Sequence, residues 1–195
     1  MTEIEVYRGP EEIRPIIPEV ARLRITVFRE WPYLYDGTPA EEEDYLGHFA
    51  GSEHACVGLA RVDGEVVGAT TAEPLPSTHE EFQAPFIQNG IDPAECFYFG
   101  ESVLLPEFRG RGIGHAFFDL REGAARDWGA KLTAFCAVLR SDHHPLKPHD
   151  YRALDGFWTA RGYTPRPDLI CQFKWKDIDQ RAETLKPLKY WLRPL

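Results

Sequence analysis

The sequence predicts a mixed α/β sheet within one domain, and two patterns support this. The first is a hairpin, since the strand-like runs ACVGLARV and EVVGATTA are separated by Asp63-Gly64, a dipeptide that favours a tight antiparallel turn. The second is the succession of strand, helix, strand, helix and strand patterns that follows residue 95. Such an alternation indicates helices packed on a partly parallel sheet. With 195 residues, the chain can bury one substantial core but is short for two.

The composition excludes several classes of protein. Apolar residues make up 43% and charged residues 27% of the chain, as in ordinary globular proteins. A net charge of −9 without a basic stripe argues against nucleic acid as a partner. No apolar run approaches the length of a membrane span, and the acidic start MTEIEVYRGPEE lacks a signal pattern, so we expect a cytoplasmic protein with no membrane partner. Single cysteines in strand-like runs predict reduced core residues at Cys56, Cys96, Cys136 and Cys171.

The elements before the hairpin are a short strand and two helices. We expect a strand over 4–7, a helix over 18–30 with Pro18 in its first turn, and a helix over 40–49. The first helix ends at Trp31-Pro32, because the residue before a proline is pushed out of the helical region. The aromatic loop WPYLYDG separates the two helices.

The elements after the hairpin begin with an insertion over 74–95 that contains one short helix near 80–89. The remaining predicted elements are a strand over 96–105, a helix over 112–128, a strand over 132–139, a loop, a helix over 151–161 and a strand over 169–178. The tail, which ends in KPLKYWLRPL, is expected to pack on an adjacent surface or on a second subunit.

The stretch LLPEFRGRGIGHAFFD places three alternating glycines before an amphipathic helix. That helix has apolar residues at 113, 116, 117, 120 and 124, so one face is buried and its first N–H groups lie near the end of the preceding strand. Glycines at 110, 112 and 114 leave room for phosphate oxygens beside the backbone, and Arg109 and Arg111 add positive charge. The pattern suits a pyrophosphate better than a simple turn.

Two familiar phosphate motifs do not fit this stretch. A dinucleotide-binding fingerprint would read GxGxxG and would need an acidic residue after a second strand. A P-loop would need Lys-Ser or Lys-Thr after the last glycine, where this chain has His115-Ala116. A nucleotide-binding module is therefore the least supported interpretation of this glycine pattern.

A third motif does fit, and it resembles the acyl-CoA signature Q/R-x-x-G-x-G/A of the GNAT superfamily of N-acyltransferases. Arg109, Gly112 and Gly114 meet the signature, with a strand before it and a helix after it. Phe157-Trp158 and Gly162-Tyr163 resemble a further family pattern, LYxxxGF. The resemblance implies a GNAT-like fold with a splayed central sheet flanked by helices.

The resemblance also implies how one domain over 1–195 would be organised and what it would bind. Residues 1–53 would form the substrate side, residues 55–178 the CoA-binding core, and residues 179–195 a C-terminal tail. Acetyl-CoA would be the co-substrate, with strand backbone pairing to its pantetheine and N–H groups of residues 110–115 holding its pyrophosphate. The residues implied are Ser102, Val103, Leu104, Arg109, Gly110, Arg111, Gly112, Ile113, Gly114 and His115.

The implied activity is direct transfer of an acetyl group to a primary amine in a ternary complex. Glu101 is a lone carboxylate in an apolar strand and is a candidate base, or a residue that only positions substrate. Tyr98 shares that strand and would face the opposite way unless a β-bulge changes the parity. Trp158 stands where many members have a tyrosine acid, so Tyr151, another tyrosine, water or no general acid remain open.

Other residues carry weaker hypotheses. The loop SDHHPLKPHD contains three histidines and two aspartates, but its spacing matches no recognised zinc pattern, so no metal is predicted. A histidine there could instead act as base. The aromatic run Phe28, Trp31, Tyr33 and Tyr35 and the insertion over 74–95 are expected to shape an acceptor pocket.

Two functions follow, and two questions stay open. The first function is an N-acetyltransferase acting on a small-molecule or peptide amine, and the alternative is a non-catalytic acyl-CoA binding or sensing domain. Trp158 at the usual acid position supports the alternative, whereas Glu101 and the aromatic region support the enzyme. The identity of the acceptor and the formation of a homodimer are left open.

Overall fold

The computed structural model describes residues 2–195 and contains one seven-stranded sheet covered by helices on both faces. The strands are β1 (Thr2–Arg8), β2 (Cys56–Val62), β3 (Glu65–Pro74), β4 (Cys96–Leu104), β5 (Leu132–Val138), β6 (Thr164–Trp175) and β7 (Thr184–Pro194). The α-helices are α1 (Gly9–Ile13), α2 (Ile17–Phe28), α3 (Pro39–Phe49), α4 (Glu80–Gln88), α5 (Ile113–Trp128) and α6 (Asp155–Ala160).

The sheet is mixed, as predicted, with the strand order β1-β2-β3-β4-β5-β7-β6. Only the β4–β5 pair is parallel, and every other neighbouring pair is antiparallel. The predicted hairpin joins β2 to β3 through Asp63 and Gly64, whose φ angles of 51° and 86° are those of a tight two-residue turn.

The two faces of the sheet carry different helices. Helices α1 to α3 pack over β2 and β3 around Val20, Leu23 and Leu46, and α4 adds Phe82 and Phe86 on the same side. Helix α5 covers the opposite face with Ile113, Phe117 and Phe118, next to α6. This three-layer arrangement puts the start of α5 and the helices α2 to α4 on opposite sides of the same central strands.

Strands β4 and β5 separate after a short paired segment. Their register runs only from Cys96↔Leu132 to Tyr98↔Ala134, although β4 continues to Leu104 and β5 to Val138. Backbone groups of β4 beyond Tyr98 therefore face a gap between two parallel strands. The gap opens at the middle of the sheet, between its two layers of helices.

A β-bulge in β4 sets which side chains reach the α2–α3 face. The β3–β4 register shifts between Thr70↔Ser102 and Ala72↔Phe99, which gives β4 one extra residue. Gly100 lies in this bulge, where a Cβ would stand 2.5 Å from the Thr71 hydroxyl. The bulge changes the regular alternation, so Tyr98 and Glu101 face the same side of the sheet.

Three sequence predictions are corrected by the structure. The tail does not pack on an outer surface: it forms β7, which pairs with β5 on one side and β6 on the other. The helix predicted over 151–161 begins only at Asp155, and Tyr151 precedes it. The strand predicted over 169–178 begins earlier, at Thr164, and ends at Trp175.

Two observations concern cysteines and helices. All four cysteines are free thiols, and three of them are buried while Cys136 is half-buried. Within residues 2–195, each helix is too short or too polar to cross a bilayer.

Candidate active site

The glycine stretch forms a loop, residues 105–112, that leads from the end of β4 into α5. Gly110 and Gly112 have φ angles of 76° and 84°, which L-residues with a side chain rarely adopt. A Cβ at either glycine would meet no atom within 4 Å, so backbone conformation, not packing, requires glycine there.

The first turn of α5 offers free N–H groups above the strand gap. The helix begins at Ile113, so the N–H groups of Ile113 and Gly114 precede its first internal hydrogen bonds. The N–H groups of His115 and Ala116 already donate to the Gly112 carbonyl oxygen, at 3.0 Å and 3.2 Å. The first turn of α5 thus presents the free N–H groups of Ile113 and Gly114, an arrangement that can bind an anion, whereas the N–H groups of His115 and Ala116 are already engaged.

Both arginines of this loop lie at the surface and bind neighbouring main chain. Arg109 donates to the Leu104 carbonyl at 3.1 Å and forms an ion pair of 2.9 Å with Glu30 at the end of α2. Arg111 donates to the Glu107 carbonyl at 2.9 Å. The positive charges therefore stand next to the start of α5, and Arg109 ties the end of β4 to the opposite layer of helices.

The edge of β4 that faces the gap carries the predicted pantetheine contacts. The N–H of Leu105 donates to Val67 of β3 at 2.9 Å, so alternation along the strand turns the N–H and C=O of Leu104 and Ser102 away from β3. Ser102 is anchored through its hydroxyl, 2.9 Å from that of Thr70. An extended chain lying in the gap could pair with these groups as an added strand would.

A cleft of about 310 Å³ opens on the α2–α3 side of the gap. Eight of its lining residues are phenylalanine, tyrosine or tryptophan, and several others are charged. The lining residues are Arg24, Phe28, Tyr33, Tyr35, Glu41, Asp44, Tyr45, His79, Phe82, Tyr98, Gly100, Glu101, Cys136, Phe173, Lys174, Trp175, Glu183 and Leu188. The predicted aromatic run supplies three of them and the insertion supplies two, whereas Trp31 stays outside the cleft.

A buried charge network forms the floor of the cleft. Glu101 binds Arg24 of α2 through one carboxylate oxygen and accepts a hydrogen bond from the Thr71 hydroxyl on the other. Arg24 also binds Glu42 of α3, so one guanidinium joins two carboxylates. Arg24, Glu42 and Glu101 are 8%, 0% and 4% exposed, so the network is closed to bulk solvent.

The network keeps Arg24 charged. Burial disfavours that charge, but the carboxylates of Glu101 and Glu42 outweigh it and raise the pKa of the guanidinium. Both oxygens of Glu101 are engaged, one by Arg24 and the other by Thr71. The geometry therefore favours the positioning role for Glu101 over the role of base, and its part in the reaction stays a prediction.

Tyr98 lines the same cleft as Glu101. Its hydroxyl lies 3.1 Å from the Cys136 sulfur, on the far side of the strand gap. Burial raises the pKa of Tyr98 well above its usual value, so the phenol holds its proton and can donate it. Its catalytic role stays a prediction, but the structure brings Tyr98 and Glu101 together.

Tyr151 and Trp158 lie elsewhere. The Tyr151 ring makes an edge contact with Trp31, with ring centroids 6.1 Å apart, and it is absent from the cleft lining that the structure describes. Trp158 packs edge-on against Phe135 and Trp191, at 5.1 Å from each. Of the three predicted catalytic residues, Tyr151 is thus the one that the structure leaves outside the cleft.

The histidine loop also stays apart from the cleft. His144 packs against Trp31 at a centroid distance of 5.2 Å, and Asp142 pairs with Lys147 at 2.6 Å. Throughout residues 2–195, no three histidine, cysteine, aspartate or glutamate side chains gather as a metal site would require.

The prediction omits Arg24 and Thr71, which bind Glu101, and Glu42, which binds Arg24. The sequence does indicate that Arg24 is buried, because it lies one turn after Val20 and one turn before Phe28 on the apolar face of its helix. The sequence gives no indication that Glu42 is buried, because it lies among the other acidic residues of PAEEED, a pattern typical of a solvent-exposed segment. Glu73 in VVGATTAEP is a second lone carboxylate in an apolar strand, and it has the same sequence pattern that makes Glu101 a candidate.

Comparisons with known proteins agree with this geometry. The family model described as the acetyltransferase (GNAT) family matches residues 20–163, which is more than half of the chain. An acetyltransferase from Thermus thermophilus superposes with a TM-score of 0.57 at 15% identity, over 98% of this chain and 97% of that one. A comparison with curated protein sequences gives no significant match.

Two further solved structures share the fold. A GNAT family acetyltransferase from Elizabethkingia anophelis, with acetyl-CoA bound, has a TM-score of 0.55 at 12% identity, over 100% of this chain and 98% of that one. A polyamine N-acetyltransferase from Drosophila melanogaster, which forms N-acetylagmatine, has a TM-score of 0.58 at 13% identity, over 99% and 100% of the two chains.

Proposed function

Since the chain belongs to the GNAT family of acetyltransferases, we propose that it moves an acetyl group from acetyl-CoA to a primary amine bound in the aromatic cleft. One observation carries this proposal. The strand gap opens at Tyr98, and Tyr98 also lines the cleft, so a thioester in the gap would meet an acceptor there. A shared point of this kind allows direct transfer between two bound substrates.

The CoA side of the proposal uses backbone groups. The pantetheine would lie along Ser102, Val103 and Leu104, and the pyrophosphate would bind at the start of α5. The loop supplies positive φ angles at Gly110 and Gly112, free N–H groups at Ile113 and Gly114, and the charges of the two arginines.

The acceptor side favours a cationic amine with an apolar body. Eight aromatic side chains line the cleft, and carboxylates of Glu41, Asp44 and Glu183 stand among its lining residues. The aromatic faces would contact the apolar part of the acceptor and attract its cation. The carboxylates would raise the local concentration of a positively charged amine. Lys174 neutralises one of them, since its ammonium lies 2.8 Å from Glu183.

Direct transfer needs no covalent enzyme intermediate. The thiol of Cys136 lies in the cleft, but burial raises its pKa well above the usual value, so it is a poor nucleophile. The amine nitrogen would instead attack the thioester carbonyl, whose oxygen would be stabilised by backbone N–H groups in the gap. The phenol of Tyr98, which lines the cleft and keeps its proton, would protonate the departing thiolate.

The test is acetyl-CoA binding by calorimetry, followed by thiol release with an amine panel. The panel contains a diamine, a polyamine, agmatine, an arylalkylamine, an amino acid and a peptide with a free N-terminus. We expect binding and rapid thiol release with at least one cationic amine. Binding without release for every amine would support the alternative, a non-catalytic acyl-CoA domain. Competition by ATP or NAD would support a nucleotide site instead.

A further inference from the structure

A second, much smaller chamber lies beside the cleft. Its volume is about 10 Å³, roughly the room that one water molecule needs. It shares six lining residues with the cleft, so the two spaces adjoin. The shared residues are Tyr45, His79, Phe82, Tyr98, Gly100 and Glu101.

Two polar atoms on the walls of this chamber are buried without a hydrogen-bond partner among the described residues. They are Oε2 of Glu73 and Nε2 of His79. Glu73 belongs to β3, is 6% exposed and stands opposite Tyr98 in the β3–β4 register. A buried carboxylate oxygen without a partner is costly, so it is rarely retained without a role. A water in the chamber could bind both atoms at once.

We propose that Glu73, through one water held between it and His79, is the base that takes the proton from the acceptor ammonium. This proposal rests on the proposed acetyl transfer. In the step, the ammonium N–H bond breaks as the water accepts that proton, and a water proton passes to Oε2 of Glu73. The neutral amine then attacks the thioester, and Tyr98 protonates the thiolate as the C–S bond breaks. The second amine proton restores the Tyr98 hydroxyl, and Glu73 later releases its proton to solvent.

Glu101 is the competing base, and its surroundings differ from those of Glu73. Arg24 and Thr71 hold both oxygens of Glu101, whereas Oε2 of Glu73 has no such partner among the described residues. The two carboxylates lie on the same face of adjacent strands and both line the small chamber. Arg24 and Thr71 hold the carboxylate of Glu101, whereas the chamber leaves Oε2 of Glu73 free to accept a proton.

The charges around Glu73 support this division. Burial raises the pKa of Glu73 to about 8, although the nearby Ser52 hydroxyl opposes the rise, and the negative charge of Glu101 adds to it. A base with this pKa is well matched to a reaction near neutral pH. Burial and the neighbouring His48 lower the pKa of His79, so the imidazole is neutral and can bind the water. The titratable groups facing the chamber from β4, α3 and the start of α4 are Tyr98, Glu101, Tyr45, His48 and His79.

The first experiment measures kcat/KM against pH for the wild type and for Glu73→Gln. Two acceptors whose amines have different pKa values are used. A sloping limb of the pH profile that shifts with the acceptor reports the pKa of the acceptor amine, whereas one that stays in place reports a group of the enzyme. We expect a wild-type limb near pH 8 that is the same for both acceptors. Glu73→Gln should lose this limb and about 100-fold or more in kcat/KM at pH 8. The acetyl-CoA affinity should stay within about twofold of the wild type, because Glu73 lies outside the strand gap between β4 and β5 where CoA is proposed to bind.

Two matched variants test specificity. Glu101→Gln makes the same change on the neighbouring strand and should keep the Glu73-dependent limb but move it to lower pH, because it removes a negative charge that raises the pKa of Glu73. Glu65→Gln makes it at the exposed start of β3 and should not differ from the wild type. Glu73→Asp keeps a carboxylate but withdraws it by one methylene, so it should retain a limb at reduced rate. That variant also serves if Glu73→Gln does not fold.

The second experiment measures the free energy of unfolding against pH and needs no acceptor. The ordinary pKa of a glutamate is 4.5, and that of buried Glu73 is about 8, so the folded state holds this proton over that range and the unfolded state does not. Stability should therefore fall as pH rises from about 4.5 to about 8. Glu73→Gln should remove this part of the fall.

The outcomes separate the two proposals. Wild-type turnover with an unchanged Glu73→Gln profile overturns the relay and leaves the acetyltransferase intact. An unfolding curve in which the wild type and Glu73→Gln have the same pH dependence overturns the titration of Glu73. Absence of turnover with every amine overturns the proposed function and the relay with it.

Discussion

The proposed CoA side and the proposed acceptor side meet at Tyr98 but are built in different ways. The CoA side, residues 102–115, is continuous in the chain and would use backbone N–H groups at the start of α5. The acceptor side is made of side chains from α2, α3, α4, the aromatic loop and the strands β4, β5, β6 and β7. Its floor joins Arg24 to a carboxylate 77 residues away. The first region is therefore sensitive to backbone conformation and the second to buried charge, which the following changes test.

The largest effect is expected from breaking the buried network. Arg24→Met would leave the carboxylates of Glu42 and Glu101 without their cation, at a cost of about 3–5 kcal/mol in the free energy of unfolding. Glu101→Gln should cost about 1 kcal/mol or less, because its amide can still accept from Arg24 while Glu42 keeps the cation paired. Urea unfolding measures both changes.

The informative quantity is the difference between Arg24→Met and Glu101→Gln in the loss of free energy of unfolding. Equal losses would mean that Glu42 does not hold Arg24 when Glu101 is neutral. The folded fraction of either variant should bind acetyl-CoA as the wild type does, since the network lies on the acceptor side.

An intermediate effect is expected from the start of α5. Gly112→Glu places a negative charge where the pyrophosphate would bind, and we expect a loss of about 10–100-fold in acetyl-CoA affinity. Gly129→Glu is its matched control at the other end of the same helix, with a φ of 88° against 84° and open space at both positions. Both changes impose a strain of about 1–2 kcal/mol on folding.

Calorimetry with acetyl-CoA distinguishes the two glycines. If Gly129→Glu weakens binding as much as Gly112→Glu, the loss comes from strain in α5 and not from the phosphate contact. Circular dichroism of both variants shows whether the helix content is retained.

The smallest effect is expected at the mouth of the cleft. Lys174→Met would remove the cation that pairs with Glu183, and the side chains of this pair are 60% and 44% exposed. Exposed pairs contribute little, so stability should change by about 0.5 kcal/mol or less. The freed carboxylate should lower KM for a cationic amine by about twofold to fivefold. An unchanged KM, or the same fall with an uncharged amine, would place the acceptor's cation elsewhere.

The sequence predicted most of the fold because its signals are local. The Asp63-Gly64 turn, the start of α5 after Gly112 and its end at Gly129 all follow from backbone preferences of a few residues. The resemblance drawn from Arg109, Gly112 and Gly114 is confirmed by family membership. The tail was placed wrongly because β7 is half polar and lies between two strands that precede it in the chain. The position of β7 between β5 and β6 is defined only when the whole sheet has formed.

The sequence indicated the residues proposed for the CoA side, because positive φ angles and a helix start are properties of adjacent residues. It also determined that Glu101 and Glu73 are carboxylates in apolar strands. The tertiary structure alone decided that Glu101 is paired and that Oε2 of Glu73 is not. It also decided that a bulge turns Tyr98 and Glu101 to one side. The physical reason is distance along the chain, because charge pairing and strand register depend on segments that meet only when the sheet and its helices pack.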